Sequence, residues 1–503
     1  MKNTKITSVN TANMRRRREL KDRLANLTIG LGGVGVIGAI TLIFFYLVFE
    51  VWPLFSGVEL EKKAPVMTQA AALYLDADEY NESGIRILAD GQVQILDVKT
   101  GRIESTSALP LPSGVHITSV QRGPILSSLV GIGLSNGQLL VAKPNYDVSY
   151  GANNQRIINS SLAYPYGEEP LTVDRSGGAL HAFYLRGSDD DLRVLAYVEG
   201  KVQRIHFSSA NESSSALSLS FGDDDGSDED AGFSEVERDE LPYRASAAQH
   251  IIIGQDGNWA YVFHDGNRVS VFNVRNEPIY TQEVVLTGPT AEVTAVTALQ
   301  GNVSLIVGDS QGEVAQWFMV RDSSTGVDQF QLKKIRSISV GNAAITALTP
   351  EARRKGVVIG DANGQVSYYY TTSDRLIMQT SAGDSPIRSL AMSARSLGLL
   401  IQSDSAYSFW SMEIEHPDIS MESTWKSVWY ESYEEPTYTW QSSSGTTDFE
   451  SKLSLMPLTF GTIKAAFYAM LLGAPLAIFG AMYSAVFMSP ALRRKVKPTM
   501  ELM

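Results

Sequence analysis

Seven short polar turns recur along this chain, each set between two β-rich runs: "ADGQVQI", "SNGQLLV", "VEGKVQRI", "HDGNRVSVF", "SQGEVAQWF", "ANGQVSYYY" and "SDSAYSFW". Their central residues are Gly91, Gly137, Gly200, Gly266, Gly312, Gly364 and, standing in for glycine, Ser405, at steps of 46, 63, 66, 46, 52 and 41 residues. Asp-Gly and Asn-Gly pairs suit β-hairpins, because such turns need positive φ. Residues 296–320 and 345–371 match almost element by element: a Thr-Ala-Leu strand, a loop, a β-branched run ending in Gly-Asp, a turn, then valine and aromatics. A four-stranded unit repeated every 40 to 50 residues is the signature of a β-propeller. The expected fold is mainly β: a WD-like or quinoprotein-like propeller of about seven blades over 60–415, flanked by two transmembrane α-helices. The long steps require insertions. Residues 221–240, "FGDDDGSDEDAGFSEVERDE", are so acidic that they read as a solvated loop. They lack the acid spacing of an EF-hand.

The propeller region lies between two apolar runs. Residues 24–49 contain no charge, and about 20 apolar residues suffice to cross a bilayer. Within that run "GLGGVG" fits G-x-G-x-x-G, yet no strand precedes it and basic residues do, so the dinucleotide reading fails. Gly32, Gly35 and Ala39 instead share one helix face and offer a close-packing surface. The run exceeds the apolar core of a signal peptide and no A-x-A-like site follows, so an uncleaved anchor is expected. The basic block Arg15, Arg16, Arg17 and Arg18 places residues 1–23 in the cytoplasm by the positive-inside rule.

The second run, 461–488, is followed by Arg493, Arg494, Lys495 and Lys497, which place 489–503 in the cytoplasm as well. Two spans return the chain to its starting side, with about 400 residues outside. Gly461, Ala465, Ala469, Gly473, Ala477, Ala481 and Ala485 recur every four residues and form a small-residue ridge for helix contact. Pro475 removes one backbone hydrogen bond mid-span and is expected to bend the helix. Two spans enclose no pore, so the ridge implies partner helices.

Charge and chemistry exclude several functions. The stretch 24–463 holds 29 basic and 52 acidic residues, a net −23, which disfavours nucleic acid. There is no cysteine, hence no disulfide, thiolate metal site or cysteine nucleophile. The six histidines, His116, His181, His206, His250, His264 and His416, show no paired-ligand spacing, and no G-x-S-x-G elbow occurs. No catalytic, metal or cofactor-binding residue is assigned and no enzyme is expected. A quinone-cofactor dehydrogenase would share the propeller shape, but nothing points to its cofactor.

The segment from Lys426 onward, with "VWYESYEEPTYTWQSSSG" and "PLTFGTIKAAFYAMLLGAPLAIFGAMYSAVFM" followed by "RRKVKPTMELM", resembles permease subunits of ATP-binding-cassette importers of the phosphate-uptake kind (the PstC/PstA type). The likeness is to a gammaproteobacterial variant with a large periplasmic insertion between its first two helices. It implies an inner-membrane importer subunit, with 416–460 as a periplasmic linker and 461–488 as the start of the permease core. It also implies a second permease subunit, a periplasmic solute-binding protein and a separate ATPase that would use the ATP. The family's permease continues past the point where this chain stops, so the chain is expected to be the N-terminal portion of a longer permease. The residues that would bind substrate or couple to the ATPase are then unknown. The alternative expectation is a membrane-tethered propeller serving as scaffold or sensor, without transport.

Overall fold

The computed structural model describes residues 9–52, 57–68, 70–151, 153–188, 190–209, 233–322, 329–446, 448–494 and 496. It divides into two units, Met1–Gly57 and Val58–Met503. In the first, one α-helix runs Val9–Val51. Its apolar part, Gly30–Val51, has a mean hydropathy of 2.3 and none of it is buried. It is long and apolar enough to cross a membrane.

The second unit is a seven-bladed β-propeller followed by a folded strap and a second long helix. Six blades are sequential antiparallel sheets with four strands each over 72–108, 117–163, 183–240, 250–285, 293–339 and 345–381, the second carrying an extra short pairing of Leu171–Thr172 on its third strand. The seventh takes three strands from 387–413 and its outermost strand, Glu59–Lys62, from the other end of the domain. Glu59 pairs with Glu413 and Lys62 with Trp410. Val66 and Met67 add a second short pairing on Tyr407 and Ala406. This exchange closes the ring.

Each of the seven sequence turns joins the second and third strands of a blade. At Gly91, Gly137, Gly312 and Gly364 only the glycine has positive φ, and its amide donates to the carbonyl three residues back. At Glu199-Gly200 and Asp265-Gly266 both residues are left-handed, the pairing found in two-residue hairpins.

The repeated Gly-Asp also has a physical role. A Cβ on Gly308 would lie 2.7 Å from Cγ2 of Ile345, and one on Gly360 would lie 2.7 Å from Cγ2 of Ile387. Each isoleucine belongs to the first strand of the next blade. Asp309 and Asp361 each accept two backbone amides across the turn that follows. Apolar clusters between neighbouring blades continue around the ring. At the seam Leu75, Leu88, Leu96 and Val98 of blade 1 pack on Leu400, Tyr407 and Phe409 of blade 7.

Residues 233–240, read from sequence as part of an acidic loop, are the outer strand of blade 3. Arg238 and Arg175 pair with Glu235 there, and Arg204 with Asp239, so arginines absorb the acids into a sheet. The remainder of the acidic run, 221–232, lies outside the described residues.

After blade 7 the chain forms a short helix, Met421–Trp425, opened by a Ser420/Ser423 capping box. A bridge between Val428 and Thr437 and a pairing of Trp440–Gln441 with Lys452–Leu453 follow. The Leu455 amide then donates to Thr424 O at 2.8 Å, and the helix Met456–Val486 begins at the next residue. That helix has a mean hydropathy of 1.8, buries none of its residues, and continues unbroken through Pro475.

Candidate functional site: a buried ionic joint before the second apolar helix

The ends of the propeller strands define two faces. One carries the seven glycine-type turns between second and third strands. The other carries the links between first and second strands and between third and fourth. The strand Glu59–Lys62 starts opposite Glu413, where the third strand of blade 7 ends, so the chain reaches and leaves the propeller on this second face. The strap packs on the same face, over the links of blades 5 and 6.

Two strap glutamates penetrate that contact. The Glu431 carboxylate lies 2.6 Å from the Lys355 ammonium, with side-chain exposures of 7% and 1%. Lys355 sits in the link before blade 6's second strand and also donates to Gln300 O at 2.7 Å. Ser304, the first residue of blade 5's second strand, donates to the other Glu431 oxygen at 2.6 Å and accepts from Gln316 at 2.7 Å. Every polar atom of this ion pair has a partner, the condition under which a buried pair is tolerated.

Glu450 is buried beside it and is held differently. One oxygen accepts the Glu431 backbone amide at 2.7 Å, and the other accepts the Thr372 hydroxyl. Among the described residues no Lys, Arg or His reaches it within ion-pair distance. Burial pushes its pKa above the ordinary carboxylate value, and the Glu431 charge adds to the rise; the two hydrogen bonds and the Arg336 charge oppose it. Lys452 is buried nearby, its ammonium over the rings of Phe449 at 4.8 Å and of Tyr430 and Tyr433 at 5.6 Å. Burial lowers its pKa. The Tyr430 phenol is pushed up to about 12 by burial.

Arg336, from blade 5's outer strand, donates to the carbonyls of Thr371 and Trp429 and so stitches blade 6 to the strap. The Trp429 ring stands edge-on to Phe318 at 6.3 Å. One turn away, fully buried Glu351 accepts from Tyr368 at 2.6 Å and pairs with Arg354 at 2.5 Å. Arg354 in turn donates to Ile414 O at 3.1 Å, where the chain leaves blade 7. The segment 416–455 is therefore a docked strap that fixes the start of the second helix, where its sequence reads as a linker.

None of the residues singled out for helix packing is in this joint. Gly32, Gly35 and Ala39 lie in the first helix, and a Cβ on either glycine would meet nothing within 4 Å. Gly461, Ala465, Ala469, Gly473, Ala477, Ala481 and Ala485 lie in the second helix, all exposed. Arg15, Arg16, Arg17 and Arg18 continue the first helix on its N-terminal side. Arg493 donates to Ala485 O at 2.5 Å, at the C-terminal end of the second helix, where a cation is favoured. Arg494 is helical, and Lys495 and Lys497 lie outside the described residues. Among the described residues no three His, Asp or Glu side chains converge to hold a metal. Lys355, Glu431 and Glu450 carry no motif. The readable signal for them is the aromatic density of 428–440, which suits a buried segment and not a flexible linker.

No protein-family model and no curated protein sequence matches the chain. Among solved structures it is similar to the beta-propeller domain of Cps50 (Swd1) from Myceliophteria thermophila, at 10% identity. That match covers 70% of this chain and 99% of the other, with a TM-score of 0.45.

Proposed function

We propose that the protein is a membrane-tethered propeller that presents its glycine-turn face, outside the inner membrane, to a protein partner. The observation that carries this reading is that both chain connections leave from one face. With a membrane helix on each connection, the opposite face is the one turned to solvent. The net −23 of residues 24–463 opposes collection of a free anion and favours a partner with a basic patch. Reporter fusions test the topology. Those at Met14 and Val496 should read cytoplasmic and one at Gly222 periplasmic, and a cytoplasmic signal at Gly222 would overturn the reading.

A second reading makes the same chain part of an importer permease, of the phosphate-uptake kind that its C-terminal segment resembles. Two features favour it over a bare tether. A tether needs only apolarity, whereas the second helix carries a ridge of seven small residues and begins at a joint with a buried ion pair. On this reading the partners are a second permease subunit, an ATPase and a solute-binding protein docked on the propeller. Affinity purification of the full chain from membranes tests it. Recovery of an ATP-hydrolysing subunit and a second membrane subunit, weakened by Gly473→Leu or Ala477→Leu, is the expected result. Their absence from the wild-type preparation leaves the tethered platform alone.

A further inference from the structure

We propose that the joint between strap and propeller is a proton-sensitive latch, with Glu450 as its titrating group. The geometry singles out this carboxylate. Glu431 beside it has a serine hydroxyl and a lysine at 2.6 Å that is held in turn by a carbonyl. The Glu450 carboxylate has one backbone amide and one hydroxyl, and among the described residues no Lys, Arg or His within ion-pair distance; Lys452 reaches only the Glu450 backbone carbonyl, at 3.4 Å. A buried carboxylate without a contacting counter-ion takes up a proton more readily than the same group in water.

Every charged group around it sets the sign. From the strap, Glu431 repels the ionised form, and Lys452 attracts it from beyond ion-pair distance, its ammonium held over three aromatic rings and donating to Gln441 Oε1 at 3.2 Å and to the Glu450 backbone carbonyl at 3.4 Å. Tyr430, its pKa raised by burial, remains a neutral phenol below the alkaline range. From blade 5, Arg336 attracts it, but both of its donating nitrogens are spent on the carbonyls of Thr371 and Trp429. From blade 6, Lys355 is engaged by Glu431, and Thr372 stabilises the ionised form by one hydrogen bond. The next shell holds Glu351 paired with Arg354, and Asp418. Glu450 emerges with its pKa raised above its ordinary 4.5.

A group whose docked pKa is raised binds its proton more tightly docked than free. The stabilisation is complete below the ordinary pKa of 4.5 and is lost as pH rises through the raised value. The strap therefore grips hardest in acid and loosens as pH rises, by at most about tenfold per pH unit, the one-proton limit. Because the second helix starts directly after the strap, loosening frees that helix to change its angle to the propeller.

Hydrogen exchange on the full chain in detergent micelles, from pH 4.5 to 8, tests this after correction for the chemical exchange rate. In the wild type, protection of 428–455 should fall as pH rises, while blades 1 to 4 hold theirs. Glu450→Gln, which keeps the shape and cannot ionise, should abolish that slope. Thr372→Val removes the hydroxyl that favours the ionised form, and should move the transition to higher pH. A wild-type strap with no slope overturns the latch. So does a Glu450→Gln strap with the wild-type slope, or a Thr372→Val transition that stays in place or moves to lower pH.

Discussion

At Gly308 and Gly360 a single missing methyl group sets the spacing between blades. Each glycine is the last residue but one of a second strand, where the next blade's isoleucine presses in at a distance no Cβ tolerates. The neighbour in the way is a β-branched side chain with few rotamers, so it has little room to yield. Gly360→Val should therefore cost about 1–3 kcal/mol by overpacking, read as a lower midpoint in chemical denaturation. The companion Ile387→Ala in the same chain should recover part of that loss by vacating the space. The adjoining aspartates act differently. Asp361 holds the amides of Asn363 and Gln365 at 2.9 Å each, so its loss touches the turn and not the interface. The Gly-Asp pair was visible in the sequence as a repeat. Its purpose was not, because the isoleucine it meets lies in a different repeat, 27 to 37 residues further on.

At the scale of elements, periodic features were legible and tertiary ones were not. The second-to-third-strand hairpins could be read because turn chemistry is local. The strand at 233–240 was hidden because its acids look solvated until Arg175 and Arg204 are brought across from other positions to join its own Arg238. The strap was hidden for the same reason, since Lys355 is 76 residues from Glu431. Its pairing yields a sharp expectation. Lys355→Met alone leaves Glu431 buried and unpaired, and should cost the docked strap about 3–5 kcal/mol. Combining it with Glu431→Leu removes both charges and should recover most of that loss. Limited proteolysis within 428–455 measures it. The single variant should be cleaved far faster than the wild type and the double variant at an intermediate rate or slower, with the blades intact in both.

For the whole molecule the decisive contact is the ring closure, made by residues that precede the first repeat. Glu59–Lys62 completes blade 7, and the chain then crosses to blade 1 through Val66, which packs beside the seam cluster of Leu75, Leu400 and Tyr407. The first propeller strand in the sequence is thus the outermost strand of the last blade. No local pattern announces it, since "ELEK" is four residues long and charged at three of them. Closure couples the ends of the domain, so damage there should spread further than equal damage elsewhere. Leu60→Pro removes a backbone donor and restricts the strand that pairs with 410–413. Gln282, which faces Val271, is the matching in-register position in the outer strand of blade 4, which closes nothing, and Thr281→Pro places proline beside it, at the bulge. Both lie on sheet edges, where the local cost of proline is smallest. Spread of the loss beyond the mutated blade, and not its local size, therefore reports closure. Hydrogen exchange should show Thr281→Pro loosening blade 4 alone, whereas Leu60→Pro should raise exchange in blades 7 and 1 together. Confinement of the Leu60→Pro effect to blade 7 would mean that the seam cluster holds the ring without the exchanged strand.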